Sequence, residues 1–176
     1  VRQLLAETGA RPEQVRGLGL ASQVEGVVPL DAGGQPLRPA ILWMDRRASA
    51  QCERVRQTLG PEAALDLTGL NLDPSHVAPK IRWIADHQPQ IYERATCFLQ
   101  PGSYVAFYLT GEKAVDYSNA SAVLLLDIRA RDWSPEMCAH FGIDRHLLPP
   151  VHPATAPLGR LRRSVAASLG LSEEML

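Results

Sequence analysis

Val15-Arg16-Gly17-Leu18-Gly19-Leu20-Ala21-Ser22 reads as a β-strand running into a loop, and this stretch decides the fold class. Ahead of it, Val1, Leu4, Leu5 and Thr8 share one helical face, Gly9 closes that helix, and Pro12 suits a further helical turn. A helix followed by a glycine-bearing strand is the alternation from which α/β domains are built. Behind it come Val27-Val28-Pro29-Leu30, the turn Asp31-Ala32-Gly33-Gly34, and Pro39-Ala40-Ile41-Leu42-Trp43. Two apolar runs divided by an acid and paired glycines have the chemistry of a hairpin. Asp31 to Gly34 does not read as a phosphate loop, because no helix start follows to offer backbone donors.

The rest of the chain is mostly helical. Ala48, Cys52, Val55 and Leu59 recur at helical spacing until Gly60-Pro61 stops them. A helix is predicted from Glu62 to Leu67, and another carries Val77, Ile81 and Ile84 on one face. After Pro89 a short helix is predicted from Gln90 to Ala95, followed by a strand at Thr96-Cys97-Phe98-Leu99. Pro101 opens a helix through Tyr108 that Gly111 ends. Ser134-Pro135-Glu136 combines a hydroxyl cap, a first-turn proline and an acid at a helix start, and Gly142 marks its end. A last helix is expected from Leu161 to Leu169.

Composition narrows the function classes. At 176 residues the chain has the size of one domain, and 45% hydrophobic with 21% charged residues is ordinary for a globular protein. A net charge of −1 without a basic stripe argues against nucleic acid as a partner. No apolar run reaches the roughly 18–20 residues that span a bilayer, so no membrane partner is expected. Cys52, Cys97 and Cys138 form no CxxC pair, which leaves neither a zinc ribbon nor a thioredoxin-type motif and suggests a reduced, cytoplasmic setting. The five histidines show no metal-ligand spacing. No GxSxG, GxxxxGK[ST] or GxGxxG occurs. The chain opens on Val1 rather than Met and shows no signal peptide, so it reads as cut at its start.

Four constellations could carry chemistry. Gln23-Val24-Glu25 follows a predicted strand, where α/β proteins place ligand contacts, and its amide and carboxyl could bind hydroxyls; a solvated connection is the alternative. Trp43-Met44-Asp45-Arg46-Arg47 offers an aromatic face and an acid. The alternative is a core tryptophan, with Asp45 capping the next helix and the arginines solvated. Lys80 beside Trp83 is expected to lay its stem over apolar surface with its head in water. Asp116-Tyr117-Ser118-Asn119-Ala120-Ser121 could line a cleft or cap a short helix, and the cap is favoured.

In order, these segments resemble the amino-terminal domain of the FGGY carbohydrate kinases, and their xylulokinase-like branch in particular. The resemblance rests on the run from Gly19 to Gly26, on Leu37 to Arg47, and on Ala78-Pro79-Lys80-Ile81-Arg82-Trp83. It continues through Leu109-Thr110-Gly111-Glu112, Asp116 to Ser121, Leu126 to Ser134 and Leu147-Leu148-Pro149-Pro150-Val151. It covers nearly the whole chain.

The resemblance implies an α/β domain of the ribonuclease-H-like, actin-like ATPase fold, incomplete because the first strands are missing. It implies that residues 1–176 form the substrate-side domain of a kinase whose carboxy-terminal nucleotide domain is absent. The implied reaction is ATP-dependent phosphorylation of a ketopentose such as xylulose, or of a related sugar or polyol. Glycerol- or erythritol-type kinases of the same family, and a non-catalytic carbohydrate-binding module, are the alternatives. The implied substrate-binding residues are Gln23, Val24, Glu25, Trp43, Asp45 and Arg47. Typical xylulokinases read Gln-Met-His where this chain has Gln23-Val24-Glu25, and glycerol kinases carry Arg-Glu in this region, so an acid at Glu25 also fits a polyol. ATP and Mg²⁺ are implied for the full-length enzyme but not for this chain, which lacks the family's Asp-x-Gly-Thr turn and the aspartate of its Gly-Gly-x-Asp motif. The chain is therefore expected to be inactive alone. Its partners are expected to be a small sugar or polyol and, as a further candidate, a second copy of itself.

Overall fold

The computed structural model describes residues 1–172. Its elements in order are α1 (Arg2–Thr8), β1 (Val28–Leu30), α2 (Ser49–Leu59), α3 (Pro61–Thr68), α4 (Val77–His87) and α5 (Pro89–Tyr92). They continue with β2 (Cys97–Leu99), α6 (Pro101–Thr110), β3 (Val115–Asp116), α7 (Tyr117–Ser121), β4 (Leu126–Asp127) and β5 (Asp132–Trp133). The last three are α8 (Pro135–Phe141), β6 (Val151–His152) and α9 (Arg163–Leu169). β1 pairs antiparallel with β2, β4 pairs antiparallel with β5, and β3 runs parallel to β6.

The predicted hairpin closes around β1. Single bridges join Leu30 to Pro36 and Val27 to Ile41, so the returning arm is held at two points and forms no continuous strand. Gly34 turns the chain at φ 76°, where a β-carbon would stand 2.5 Å from the Phe107 ring. Only glycine meets both demands at that turn.

The predicted strand over Val15 to Ser22 is not one. Those residues join no ladder among the described ones. A strand needs a neighbour to take up its N–H and C=O groups, and no described residue pairs with this segment in a ladder. The last helix starts at Arg163 rather than Leu161, and the short helix expected from Gln90 to Ala95 is Pro89–Tyr92.

The main core is built by helical faces closing on the sheet pieces. Val77, Ile81 and Ile84 of α4 are buried as their spacing predicts, beside Cys52 and Val55 of α2 and Met137 and Phe141 of α8. The start of α8 follows its sequence signature: the Ser134 hydroxyl accepts from the Met137 N–H at 3.2 Å, and Gly142 closes the helix in the left-handed region.

Asp86, near the end of α4, ties α2 to α4. Its carboxylate accepts from the Gln51 amide at 2.9 Å, from Arg54, and from Arg82 Nε at 2.8 Å. Partial burial pushes the Asp86 pKa up, but the bonds from Gln51, Arg82 and Arg54 outweigh it and hold the carboxyl down at about 2. The folded value lies below the ordinary 3.8, so this stabilisation is complete above about pH 4 and is lost as pH falls toward 2. Urea midpoints measured from pH 5 to pH 2 should fall for the wild type. Asp86→Asn should flatten that fall. An equally steep fall in the variant would show that Asp86 is not responsible.

Candidate functional site

Three segments meet at the amino-terminal end of α4, and a lysine fastens them. Lys80 has 0% exposure, against the expectation of a solvated head. Its ammonium donates to the Glu25 carbonyl at 2.8 Å, the Leu42 carbonyl at 2.8 Å and the Trp43 carbonyl at 3.3 Å. An ammonium has three protons and no acceptor capacity, so three converging carbonyls satisfy it completely. The loop before β1 and the loop after Ile41 are thus tied to one charge. Burial drives the Lys80 pKa down to about 8, although Glu25, Asp45 and Asp73 nearby pull it upward.

The backbone at Glu25 is shaped to this purpose. Glu25 sits at φ 61°, in the left-handed region that non-glycine residues seldom occupy. At Gly26, which follows, a β-carbon would stand 2.6 Å from Pro101 Cγ and 3.4 Å from the Ile41 carbonyl. The turn at Glu25 and the bare Gly26 let the chain pass under α6 and aim its carbonyl at Lys80. The Glu25 side chain is turned to His76, whose Nδ1 lies 2.8 Å from Glu25 Oε1, off the line of a well-aligned hydrogen bond.

The second loop carries its own bracing. Asp45 takes Arg47 Nε at 3.0 Å and Arg47 Nη2 at 2.7 Å, and it also accepts from the Arg47 backbone N–H at 3.0 Å. These bonds hold the Asp45 carboxyl below the usual carboxylate range. The Arg47 guanidinium lies over the Trp83 ring at 4.8 Å, Arg38 stands 5.9 Å from the same ring, and His87 stacks on it at 4.7 Å. Arg46 reaches sideways and binds Asp73 in a fork, with both bonds at 2.9 Å. Desolvation works to raise the Asp73 pKa, but Arg46 and Ser75 overcome it and hold the carboxyl well below its ordinary value.

Of the residues predicted from sequence, Glu25, Trp43, Asp45 and Arg47 are gathered around Lys80 and Trp83. Trp43 is 48% exposed, which removes the reading of it as a core residue. Asp45 braces Arg47 instead of capping α2, whose first turn has no side-chain cap. Gln23 and Val24 lie exposed on the first loop. Asp116 does cap a helix, accepting from the Asn119 N–H at 3.0 Å.

Asp116 and Asn119 also line a cavity of about 370 Å³ with Ser22, Ser103 and His152. None of the six predicted residues borders it. Trp43 and Arg47 are exposed, and Glu25 and Asp45 are partly exposed.

Sequence reading missed His76, Asp73 and the burial of Lys80. Asp73 and His76 stand just before α4, and a local signal was available in Asp73-Pro74, a turn-forming pair ahead of a helix.

The chain matches the FGGY family of carbohydrate kinases, N-terminal domain, over residues 1–176. It is 34% identical over 172 residues to the xylulose kinase of Bacillus subtilis (strain 168), covering 98% of this chain and 34% of that protein. It is 31% identical over 163 residues to the glycerol kinase of Nocardia farcinica, covering 90% of this chain and 33% of that protein. Among solved structures, the xylulose kinase from Rhodospirillum rubrum superposes with a TM-score of 0.91 at 28% identity, over 98% of this chain and 36% of that one. The chain spans about a third of the length of the curated relatives it matches. An ordered set of matching segments and a shared fold lead to one conclusion: the chain belongs to the FGGY family of carbohydrate kinases and corresponds to their amino-terminal domain.

Proposed function

We propose that this chain is the acceptor-side domain of an ATP-dependent sugar kinase, and that its acceptor is a ketopentose such as xylulose or a related sugar or polyol. The observation that carries the reading is the Lys80 tether, which places the Glu25 loop and the Trp43–Arg47 loop side by side on one open wall. On that wall the Glu25 carboxyl accepts from an acceptor hydroxyl, and the Gln23 amide both donates and accepts. The Trp43 face covers the carbon skeleton. Asp45 and Arg47, braced on Trp83, set the shape of the far edge. The similarity to xylulose kinases supports the ketopentose. The acid at Glu25 and the similarity to a glycerol kinase favour a polyol as the second reading.

The reaction also requires a nucleotide and a divalent metal. Among the described residues no group of three or more His, Cys, Asp or Glu side chains is placed to hold a metal ion. In this proposal the chain's share of the work is to bind and orient the acceptor. The nucleotide-binding half is proposed to lie outside this chain, in keeping with the third of its relatives that the chain spans.

The test is ADP release by the full-length protein, with ATP and Mg²⁺, against a panel of ketopentoses, tetritols and glycerol. ADP should form with one acceptor class and stay at background without acceptor. Background rates with every member of the panel would remove the proposal.

A further inference from the structure

Glu25 does not stand alone on the wall. His76 Nδ1 lies 2.8 Å from Glu25 Oε1, and the His76 side chain is only 10% exposed. His76 opens α4 but makes no side-chain bond to its own helix, and its buried Nδ1 faces Glu25 rather than the helix end. The carboxyl is constrained from its backbone as well. The Glu25 carbonyl is fixed by Lys80 at 2.8 Å, and the residue holds a φ of 61°. A carboxyl group on a free side chain would sample several rotamers, whereas this one has a fixed backbone and lies 2.8 Å from a buried ring nitrogen.

We propose that His76 is the positioning residue for Glu25: it engages Oε1 and leaves Oε2 to accept from a hydroxyl of the acceptor. The two side chains then read the acceptor as one unit. His76 needs no contact with the acceptor itself. This inference rests on the acceptor-side reading above.

The full-length protein decides it, compared as wild type, His76→Phe, Glu25→Gln and the double variant. Phenylalanine keeps the buried volume and removes the ring nitrogen. The acceptor KM should rise about tenfold in His76→Phe while the ATP KM stays within about twofold, a split that general loosening would not produce. The double variant should be no worse than Glu25→Gln alone, because groups acting as a unit are not additive. His76→Gln, which can still donate to Glu25, should recover part of the loss. A folded His76→Phe with an unchanged acceptor KM overturns the proposal, as does a double variant whose loss is the product of the two single ones.

A second measurement is independent of activity. With ¹⁵N-labelled histidine, the His76 ring resonances should move in Glu25→Gln, and unmoved resonances would overturn the pairing. If the wild type phosphorylates nothing in the panel, the kinase reading fails by itself, and the resonance test still decides whether His76 and Glu25 are coupled.

Discussion

Lys80→Met should lower the thermal midpoint of the protein by about 6–12 °C and disorder the proposed acceptor wall. Methionine fills similar space but donates nothing. The carbonyls of Glu25, Leu42 and Trp43 all lose their partner, and a buried acceptor left unpaired costs about 1–3 kcal/mol. Relief of the desolvated ammonium offsets part of that sum, and water can reach the loop beside the half-exposed Trp43. A net loss of about 3 kcal/mol remains, and for a domain of this size each kcal/mol moves the midpoint by about 2–4 °C. Differential scanning calorimetry measures it. A midpoint within 2 °C of wild type would mean that the loops hold themselves and that the tether is incidental. Limited proteolysis adds a local check, because cleavage near Val24 and Met44 should accelerate in the variant, at the two loops the ammonium joins.

Glu25→Ala should raise the acceptor KM of the full-length protein by about 10- to 100-fold and leave the ATP KM within about twofold. A hydrogen bond to a charged group contributes about 1.5–3 kcal/mol, and each 1.4 kcal/mol is a factor of ten in affinity. The selectivity follows from placement. Glu25 lies with Trp43 and Asp45 on the proposed acceptor wall, to which the proposal assigns no nucleotide contact. Steady-state kinetics with each substrate varied in turn measure both constants. An unchanged acceptor KM would remove Glu25 from the site, and an equal rise in both constants would indicate a general loss of structure.

The helices were the most legible part of the sequence because their signals are local. Ser134-Pro135-Glu136 opens α8, and Val77, Ile81 and Ile84 face the core from α4 as their spacing requires. The strands were less legible. β3 to β6 are two residues each, too short for any periodicity to show. Val15 to Ser22 has strand composition but no ladder partner among the described residues, and pairing is a property of two segments that one segment cannot report.

The site divided in the same way. Trp43, Asp45 and Arg47 were named as candidates from their order along a short stretch and from a family resemblance, and the structure gathers them near Lys80 and Trp83. The burial of Lys80 was not, because its partners are backbone carbonyls on loops distant in sequence and carry no residue signature. A lysine on an amphipathic helix reads as solvated for sound reasons, and only tertiary structure brings three carbonyls to it. His76 escaped for a related reason: its partner lies far away in the chain, and a lone histidine ahead of a helix suggests nothing by itself.

The three tryptophans occupy three unlike environments. Trp133 is buried with its indole N–H bonded to the Pro149 carbonyl at 2.7 Å, Trp83 lies against His87 and Arg47, and Trp43 is half open to water. Their fluorescence is therefore already sorted by colour, with Trp43 emitting farthest to the red. An acceptor settling on that ring would shift its emission to the blue while Trp133 kept its own, giving the protein a built-in optical gauge of occupancy that needs no label.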